Sequence, residues 1–380
     1  MHAILEALPF RDAMKTFAVL FEADIDVQVV ADDDEGALIM EAGRGGVYIK
    51  QTIEANVKTA GEVVLSCAHL TQLRLGKDAT LELQLTGSQL SFKAGRLKGK
   101  IACSPAIDDM ESLRPLEEFD AEIALPAEVF KNSVSRATFT SALPNVTHGV
   151  RIQAGDSLKV STTDHFRATL YKEQLAVSQG EIDILLKPSF IQTLLSRVND
   201  SEVAIGAHKG IFKLTTDTLE IYHPVIQLEP EDIEEWIEKG IDYSARKCLV
   251  SSTVEDLTKV IDEASSIAVG SLGFDVHIEC LVKGKKFLVR VTADHGAAQS
   301  FMRLQESDAS EKHLVKLSSR YLLEILRLVR AGDLNVGMWD SFIMLQANSN
   351  KFTAPCGTVT VQTPARLPAS VQARLVGPAQ

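Results

Sequence analysis

The sequence has few cysteines, and they fall into no recognisable spacing. Five occur in 380 residues, at Cys67, Cys103, Cys248, Cys280 and Cys356, and no two of them form a Cys-x-x-Cys pair. An odd, widely spaced set argues against a zinc-binding or redox motif. We therefore predict free thiols in a reducing compartment, the cytoplasm.

Long apolar runs are also absent. Nowhere do about 18 consecutive apolar residues occur, so the sequence predicts no transmembrane helix. The N-terminal stretch MHAILEALPFRDAMK lacks the basic segment and the long apolar core of a signal peptide. Both absences favour a soluble cytoplasmic protein.

An excess of positive charge is missing as well. Lys and Arg number 39 against 51 Asp and Glu, which gives a formal net charge of −12. Proteins that hold nucleic acid along a whole face are usually basic, so this balance argues against a simple nucleic-acid binder. It does not exclude a protein whose few cations are concentrated on one surface.

The sequence contains no familiar metal or phosphate motif. Its nine histidines include no His-x-x-x-His pair, and the acidic runs at 31–36 and 229–238 lack the spacing of a calcium loop. The glycine-rich stretch at 43–46 lacks the Lys-Ser/Thr of a phosphate-binding loop. We expect no metal and no cofactor, and solvated loops or turns at these three places.

Six stretches do show apolar residues at helical spacing. They lie at 10–21, 66–77, 126–138, 187–200, 251–265 and 318–333. Ser251 and Ser318 are expected to cap the last two helices. Between the helices, apolar and polar residues alternate in predicted hairpins at 80–95, 202–222 and 275–296.

The order of these elements repeats three times along the chain. Each repeat reads helix, strands, helix, strands over roughly 120 residues, a length typical of a domain. We therefore predict an α+β protein of three similar domains, at 1–119, 120–244 and 245–367, followed by a C-terminal extension at 368–380.

One stretch invites a catalytic interpretation. STTDHFRATL, residues 161–170, places Asp164 and His165 side by side and close to Arg167. On a strand, adjacent residues point to opposite faces, so Asp164 and His165 would diverge, which is poor geometry for a base and its orienting group. A hydrolytic enzyme using Asp164 and His165 is therefore a minor alternative, and a solvated strand end is the simpler one.

Several motifs, in the right order, resemble the bacterial sliding clamp, the beta subunit of DNA polymerase III. HGVRIQ and LKVSTTDHFRAT are similar to the family pattern NGV…L.LVATDGHRLA, with Gly149, Val150, Thr163, Asp164 and Arg167 in matching places. Two further stretches, ILLKPSFIQTLLSRVNDSEVAIG and VKLSSRYLLEILRLVRAGDLNVGM, resemble the second helices of the middle and last domains, and VTVQTPARL resembles the C-terminal strand. The resemblance covers about 120–245 and 314–367 and is weaker over 1–117.

This resemblance implies a non-enzymatic processivity factor. Two three-domain subunits would join head to tail into a ring around double-stranded DNA, with helices lining the hole. Topological tethering needs only weak phosphate contacts, which reconciles a DNA partner with a net charge of −12. Ile101 and Ile267 are the expected dimer contacts. The expected DNA-facing residues are Arg11, Lys15, Arg74, Lys77, Lys131, Arg136, Asn145, Arg197 and Arg327.

The resemblance also assigns the TTDHFRA stretch to a groove that receives DNA polymerase and the clamp loader through short peptide motifs. The implied groove residues are Thr163, His165, Phe166, Arg167, Ala168, Pro230, Trp236, Val361, Thr363, Pro364, Ala365 and Arg366. The family has two methionines where this chain has Thr363 and Ala365. Because methionine-rich surfaces adapt to many ligands, an altered peptide preference is expected.

A second alternative is a clamp-shaped interaction scaffold that does not encircle DNA. The helical stretch at 251–265 favours it, because Glu255, Asp256, Asp262 and Glu263 surround Lys259 there. A helix with that charge is a poor lining for a DNA channel.

Overall fold

The computed structural model describes residues 1–21, 24–76, 78–107, 110, 113–114, 119, 121–138, 149–164, 167–175, 180–227, 232–266, 277–293, 296–347 and 351–357. The chain divides into two compact units. Unit 1 comprises Met1–Lys131, Ser178–Ile182 and Ser189–Ile226, and unit 2 comprises Asn132–Val177, Asp183–Pro188 and Gln227–Gln380. This division does not test the three predicted domains, whose boundaries stay a prediction.

The described elements follow one order three times: a strand, a helix, four strands, a helix and three strands, with one additional two-residue strand between the helices of the third repeat. The first repeat consists of β1 (His2–Glu6), α1 (Ala7–Leu20), β2 (Asp26–Asp32), β3 (Ala37–Arg44), β4 (Val47–Thr59), β5 (Gly61–Ser66), α2 (Cys67–Thr71), β6 (Thr80–Thr86), β7 (Gln89–Ala94) and β8 (Leu97–Ala102). The second consists of β9 (Glu122–Pro126), α3 (Ala127–Ala137), β10 (Val150–Ala154), β11 (Ser157–Thr163), β12 (Ala168–Gln174), β13 (Ile182–Leu186), α4 (Pro188–Leu195), β14 (Glu202–His208), β15 (Ile211–Thr215) and β16 (Leu219–Pro224).

A short connection leads from the second repeat to the third. It contains α5 (Ile233–Glu235), a π-helical turn (Trp236–Gly240) and a 3-10 turn (Tyr243–Ala245). The third repeat consists of β17 (Cys248–Thr253), α6 (Val254–Ser265), β18 (His277–Lys283), β19 (Lys286–Ala293), β20 (Gly296–Arg303), the two-residue β21 (Glu306–Ser307), β22 (His313–Ser318), α7 (Ser319–Val329), β23 (Asp333–Met338), β24 (Phe342–Ala347) and β25 (Phe352–Gly357). Strand and helix alternate as the hydrophobic period predicted, and no described helix is long and apolar enough to cross a membrane.

Unit 1 is built on one large antiparallel sheet. Within the described residues its strand order is β8-β7-β6-β1-β4-β16-β15-β14-β9, and β5-β2-β3 joins the same sheet through β4. The long strand β4 pairs with β3, with β1 and, at its beginning, with β16, where Ile49 lies opposite Ile221. Helix α1 covers part of this sheet and buries Phe10, Met14 and Phe17.

Unit 2 contains two described antiparallel sheets. The first has the order β13-β10-β11-β12-β25-β24-β23-β17-β21, and the second has the order β20-β19-β18-β22. Strands β12 and β25 pair through Leu170 opposite Thr353 and Tyr171 opposite Phe352. Helix α6 packs on β19 and β20 and against α7, and its apolar stripe includes Leu257 and Ile261.

Several of the predicted helix boundaries are wrong: the helix expected at 187–200 ends at Leu195, and the one expected at 318–333 ends at Val329. The helix expected at 66–77 ends at Thr71, because the N–H groups of Leu73 and Leu75 bond to the nearby carbonyls of Leu70 and Leu73 and tighten the chain into turns. Ser251 does not cap α6, since it lies in β17 opposite Asn335. The predicted cap at Ser318 is confirmed, because its side chain accepts a hydrogen bond from the Tyr321 N–H.

All five cysteines are free thiols. Cys67, Cys248, Cys280 and Cys356 are buried, whereas Cys103 is only half-buried. Burial raises the pKa of Cys67 and Cys248 to about 11 and that of Cys356 to about 12. The four buried thiols are therefore protonated at neutral pH.

The start of α6 generates a testable prediction. Thr253 Oγ1 accepts a hydrogen bond from the Asp256 N–H at 3.1 Å and donates one to Asp256 Oδ2 at 2.9 Å. Replacing this cap with alanine leaves helix donors without a partner, so Thr253→Ala should lower the free energy of unfolding by about 1 kcal/mol. Urea titration measures the loss, and Thr253→Ser should retain most of the parent's stability.

Ser66→Ala provides the matched control. Ser66 precedes α2 at the corresponding type of strand-to-helix junction, but its side chain makes no cap hydrogen bond in the described structure. Its replacement should change the free energy of unfolding by no more than about 0.5 kcal/mol. Equal losses for Thr253→Ala and Ser66→Ala would contradict the assigned cap.

Candidate functional site

The stretch that carries the strongest sequence motif forms the end of the β11–β12 hairpin. Thr163 and Ala168 are the last paired residues. Between them, the Asp164 N–H bonds to the Arg167 carbonyl at 3.2 Å, and the Arg167 N–H bonds to Asp164 Oδ1 at 3.2 Å. The Thr163 hydroxyl also donates to the Arg167 carbonyl at 3.0 Å. These bonds hold the ends of β11 and β12 together. His165 and Phe166 lie outside the described residues.

The guanidinium of Arg167 lies inside unit 2 and is fully buried. Its Nε donates to Asp164 Oδ2 at 3.0 Å, and its Nη1 donates to Glu324 Oε2 on α7 at 2.9 Å. The ring of Tyr321 lies 4.5 Å from the guanidinium carbon. Burial opposes the charge of Arg167, but the carboxylates of Asp164 and Glu324 outweigh it and raise the pKa of this residue.

This buried ion cluster bears on the catalytic alternative. Asp164 is fully buried, and its two oxygens accept hydrogen bonds from Arg167. A general base has to reach a substrate proton, and a buried carboxylate already paired with arginine is badly placed for that. Asp164 therefore has a structural role.

Next to this hairpin end lies a cluster of buried apolar side chains, called here the aromatic cluster. Its members are Ala168, Leu170, Ile233, Trp236, Ile237, Ile241, Trp339, Phe342 and Met344. The rings of Trp339 and Phe342 stack with centroids 4.7 Å apart. Tyr243 packs edge-on against Trp339 and is 41% exposed, so it lies at the rim of the cluster.

Electrostatic contacts attach the connection that carries Trp236 to the neighbouring sheet. Glu234 accepts hydrogen bonds from Lys172 and, at 2.6 Å, from Lys159. Asp232 lies 3.5 Å from Arg151, whose guanidinium also binds Asp183 through two hydrogen bonds. Burial disfavours the ionised form of Glu234, but the two lysines outweigh it and hold the pKa of its carboxyl below the ordinary value.

The structure brings part of the predicted groove together. Ala168 and Trp236 belong to one cluster, and Thr163 and Arg167 form the adjacent hairpin end. The other predicted groove residues lie outside the described residues: His165, Phe166, Pro230, Val361, Thr363, Pro364, Ala365 and Arg366. Sequence reasoning missed Trp339 and Phe342, although the aromatic pair in WDSF was a visible signal.

Some of the predicted DNA-facing cations are engaged within the protein, and others are exposed to solvent. Lys131 donates to the Val198 carbonyl at 2.8 Å, Arg136 donates to the Val329 carbonyl at 3.4 Å, and burial lowers the pKa of Arg197. Arg11 and Lys15 both lie near Asp12. Arg74 and Arg327 are exposed, whereas Lys77 and Asn145 lie outside the described residues.

Of the two predicted dimer contacts, only Ile101 lies within the described residues. Ile101 lies in β8 with 9% of its surface exposed, so its side chain contributes to the core of its own unit. Ile267 lies outside the described residues. Their role at a dimer interface stays a prediction.

Glu234 generates a prediction about pH. A carboxyl with a lowered pKa in the folded state stabilises the fold above its unfolded pKa and loses that contribution as the pH falls through the folded value. Stability should therefore fall on acidification below the ordinary pKa of 4.5. Glu234→Gln should lower the urea midpoint at neutral pH and reduce the additional loss below 4.5.

Glu235→Gln is the control, because Glu235 pairs with Lys239 and both side chains are more than half exposed. Exposed pairs contribute little to stability, so this variant should unfold like the parent at each pH. If Glu234→Gln kept the full acid sensitivity of the parent, the role of this carboxylate would be refuted.

Comparison with known proteins places this arrangement in a fold. No protein-family model and no curated protein matches the sequence. Solved structures do match: a DNA polymerase sliding clamp from Bacillus subtilis at 13% identity and a TM-score of 0.77, with 97% of this chain and 99% of that chain covered. The DNA polymerase III subunit beta from Pseudomonas aeruginosa matches at 16% identity and a TM-score of 0.76, with 97% and 100% covered.

A sliding clamp from Pseudomonas aeruginosa bound to griselimycin gives the same result, at 14% identity and a TM-score of 0.77 over 97% and 100% of the two chains. These likenesses extend over nearly the whole chain, including 1–117, where the sequence motifs are weak. The chain therefore has the fold of the bacterial DNA polymerase III beta subunits, the sliding clamps, as its motifs predicted.

Proposed function

We propose that this protein is a DNA sliding clamp, a divergent member of the bacterial family, that encircles duplex DNA as a head-to-tail dimer. The observation that carries the proposal is a rule of strand pairing between repeats. When strands alone are counted, β4 is the fourth strand of the first repeat. It pairs with β16, the last strand of the second repeat. In the same way, β12 of the second repeat pairs with β25, the last strand of the third.

The third repeat has an equivalent strand without an equivalent neighbour. The strand that corresponds to β4 and β12 in the third repeat is β20. The last strand of the first repeat, β8, likewise has no pairing of this kind. In the described part of the chain, β20 pairs only with β19 and β8 only with β7. An open strand edge exposes unpaired N–H and C=O groups and is a template for another strand. A second copy supplies the missing neighbour in both directions, and two such joints close a dimer.

The two open edges have complementary chemistry. Lys98 and Lys100 on β8, and Lys93 on the adjacent β7, supply positive charge. Beside β20 lies the acidic helix α6, whose Glu263 accepts a hydrogen bond from Ser300 at 2.6 Å. Phe301 on β20 is 62% exposed and Leu97 on β8 is 39% exposed, so each edge also offers an apolar side chain.

A ring needs only weak contacts with DNA, because it is held topologically. Exposed cations on the helical side, such as Arg327 on α7, and Arg74 after α2 would attract phosphates, while the net charge of −12 limits the overall attraction. Weak, non-specific contacts allow sliding. Polymerase and clamp loader would bind through short peptides at the aromatic cluster beside the Thr163–Ala168 hairpin end.

The second candidate is a clamp-shaped scaffold that does not encircle DNA. The acidic surface of α6, with Glu255, Asp256, Asp262 and Glu263, favours this alternative. The joint proposed above gives these carboxylates a different role, as partners of the lysines near β8. Retention on circular DNA distinguishes the two functions.

The dimer joint can be tested at β20. Phe301→Asp would place an unpaired charge in the joint, at a cost of several kcal/mol, so sedimentation should show a folded monomer where the parent is a dimer. Leu314→Asp is the matched control: Leu314 is 42% exposed on β22, the opposite edge of the same sheet, and its variant should stay dimeric. A parent that is monomeric at all concentrations would exclude the ring.

Encirclement can be tested without a loader. The dimer is dissociated by dilution, reassembled in the presence of nicked circular plasmid, and passed through a gel-filtration column at high salt, where direct phosphate contacts are weak. The protein should elute with the circle and should be lost when one restriction cut makes the plasmid linear. Equal retention on both forms, or on neither, would reject encirclement.

Charge reversal at two exposed cations tests their role in loading onto DNA. Arg74→Glu/Arg327→Glu should reduce the yield of protein on the circle, whereas Lys58→Glu/Lys283→Glu changes the net charge equally at exposed strand positions and should load like the parent. Lys131 and Arg136 are unsuitable for this test, because both bond to backbone carbonyls within their own units.

A further inference from the structure

The four-stranded sheet of unit 2, β20-β19-β18-β22, has one face that the described helices leave uncovered, called here the open face. Along β18 and β19 every second side chain is buried, as Cys280 and Val289 are, on the side where α6 packs. The side chains between them lie on the open face and are exposed or half-buried. The solvated face of an antiparallel sheet is ordinarily polar. The open face departs from that rule in two rows of side chains.

The first row is apolar and crosses all four strands. Phe301 on β20 lies directly opposite Leu288 on β19. Leu288 lies opposite Leu281 on β18, which in turn lies opposite Leu314 on β22. Phe301 is 62% exposed and Leu314 is 42% exposed, and the two leucines between them are half-buried. Exposed apolar residues that occur singly are ordinary, whereas a contiguous apolar patch marks an interaction surface.

The second row is cationic and runs beside the first. Arg303 lies directly opposite Lys286, and Lys286 lies directly opposite Lys283, each two positions along its strand from the apolar row. All three side chains are exposed, and no carboxylate among the described residues pairs with them. Like charges directly opposite each other destabilise a sheet. A row of three such cations therefore indicates an anionic partner from outside the chain.

Charge on the other side of the apolar row is offset within the sheet itself. Glu279 lies 3.1 Å from Lys316 Nζ and 3.8 Å from Arg290 Nη1. Among the described residues, the cations without a carboxylate partner therefore lie on one side of the apolar row. A partner that fits the open face must present apolar side chains with negative charge along one side of them.

The dimensions of the rows indicate a helix. Neighbouring strands are about 4.8 Å apart, so the apolar row through four strands is about 14 Å long. Apolar residues on one face of a three-turn helix span about 15 Å, because the helix rises 1.5 Å per residue. The chain's own segment at 358–380 is not the complement, since it contains Arg366 and Arg374 and no Asp or Glu. A DNA duplex would match the cations but would leave the apolar row without a partner.

We propose that the open face is a docking surface for an acidic amphipathic helix of a partner protein, which lies across the four strands. Its apolar side chains cover the row from Phe301 to Leu314, and its carboxylates face Lys283, Lys286 and Arg303. The surface is separate from the aromatic cluster and does not depend on the ring, because pairing at the edge of β20 uses backbone groups and leaves the face of the sheet free. Complementary charge sets the orientation of the helix, and apolar burial supplies the affinity.

A synthetic peptide tests the proposal by fluorescence anisotropy with the full chain. The peptide forms one amphipathic helix, with leucines along one face and a row of glutamates beside them. The parent should bind it at least about tenfold more tightly than a peptide of the same composition in scrambled order, and than a version with lysine in place of each glutamate. Added salt should weaken the binding without abolishing it, because only part of the contact is ionic.

Two variants of the open face separate docking from folding. Lys286→Glu places a carboxylate between Lys283 and Arg303, so it should weaken the acidic peptide at least about tenfold without lowering the urea midpoint. Leu314→Asp interrupts the apolar row at its exposed end and should weaken the peptide to a similar extent.

Each variant has a matched control away from the open face. Lys187→Glu makes the same change of charge at an exposed position before α4, and Val19→Asp replaces an apolar residue of α1 that is 58% exposed. Both controls should bind the acidic peptide like the parent.

Vesicles with anionic phosphatidylserine and a short DNA duplex are the two alternative probes. The proposal is overturned if the parent does not bind the acidic peptide, if the scrambled peptide binds as tightly, or if Lys286→Glu and Leu314→Asp bind like the parent. Vesicle or duplex binding that Leu314→Asp abolishes, with no binding of the peptide, would assign the open face to a membrane or to DNA instead. Loss of peptide binding in both variants, with both controls unchanged, establishes the docking surface.

Discussion

The interaction on which this fold depends is strand pairing between consecutive repeats. A strand at an edge exposes backbone N–H and C=O groups, and long, flat edges associate with whatever strand is available. In this chain β4 and β12 each find the final strand of the following repeat, so the connections between repeats are continuous sheet. The packing units consequently cut across the repeats, since strands of neighbouring repeats are hydrogen-bonded in one sheet.

A second consequence concerns charge. The motif around Asp164 and Arg167 resembles a reactive site in sequence, yet its buried guanidinium is paired with the carboxylates of Asp164 and Glu324. Lys131 and Arg136 similarly bind backbone carbonyls. These cations therefore stabilise the protein itself.

Sequence patterns predicted the repeat and most of its elements because period and hairpin signals are local. The hairpin at 80–95 and the cap at Ser318 are examples, and both are present. The patterns could not predict that Ser251 lies in a strand, nor that Trp339 and Phe342 stack beside Trp236, because those facts depend on which distant segments pack together. The groove was reached only through family resemblance, and its C-terminal wall at 361–366 stays a prediction.

The reactivity of the buried thiols can report local opening of the structure. Alkylating reagents attack thiolates, and Cys67, Cys248 and Cys356 are kept protonated and out of reach by burial. Their modification therefore requires the structure around each thiol to open. Cys67 lies in unit 1 and Cys356 in unit 2, next to Arg167, so the two labelling rates report the opening of each unit independently within one untagged chain.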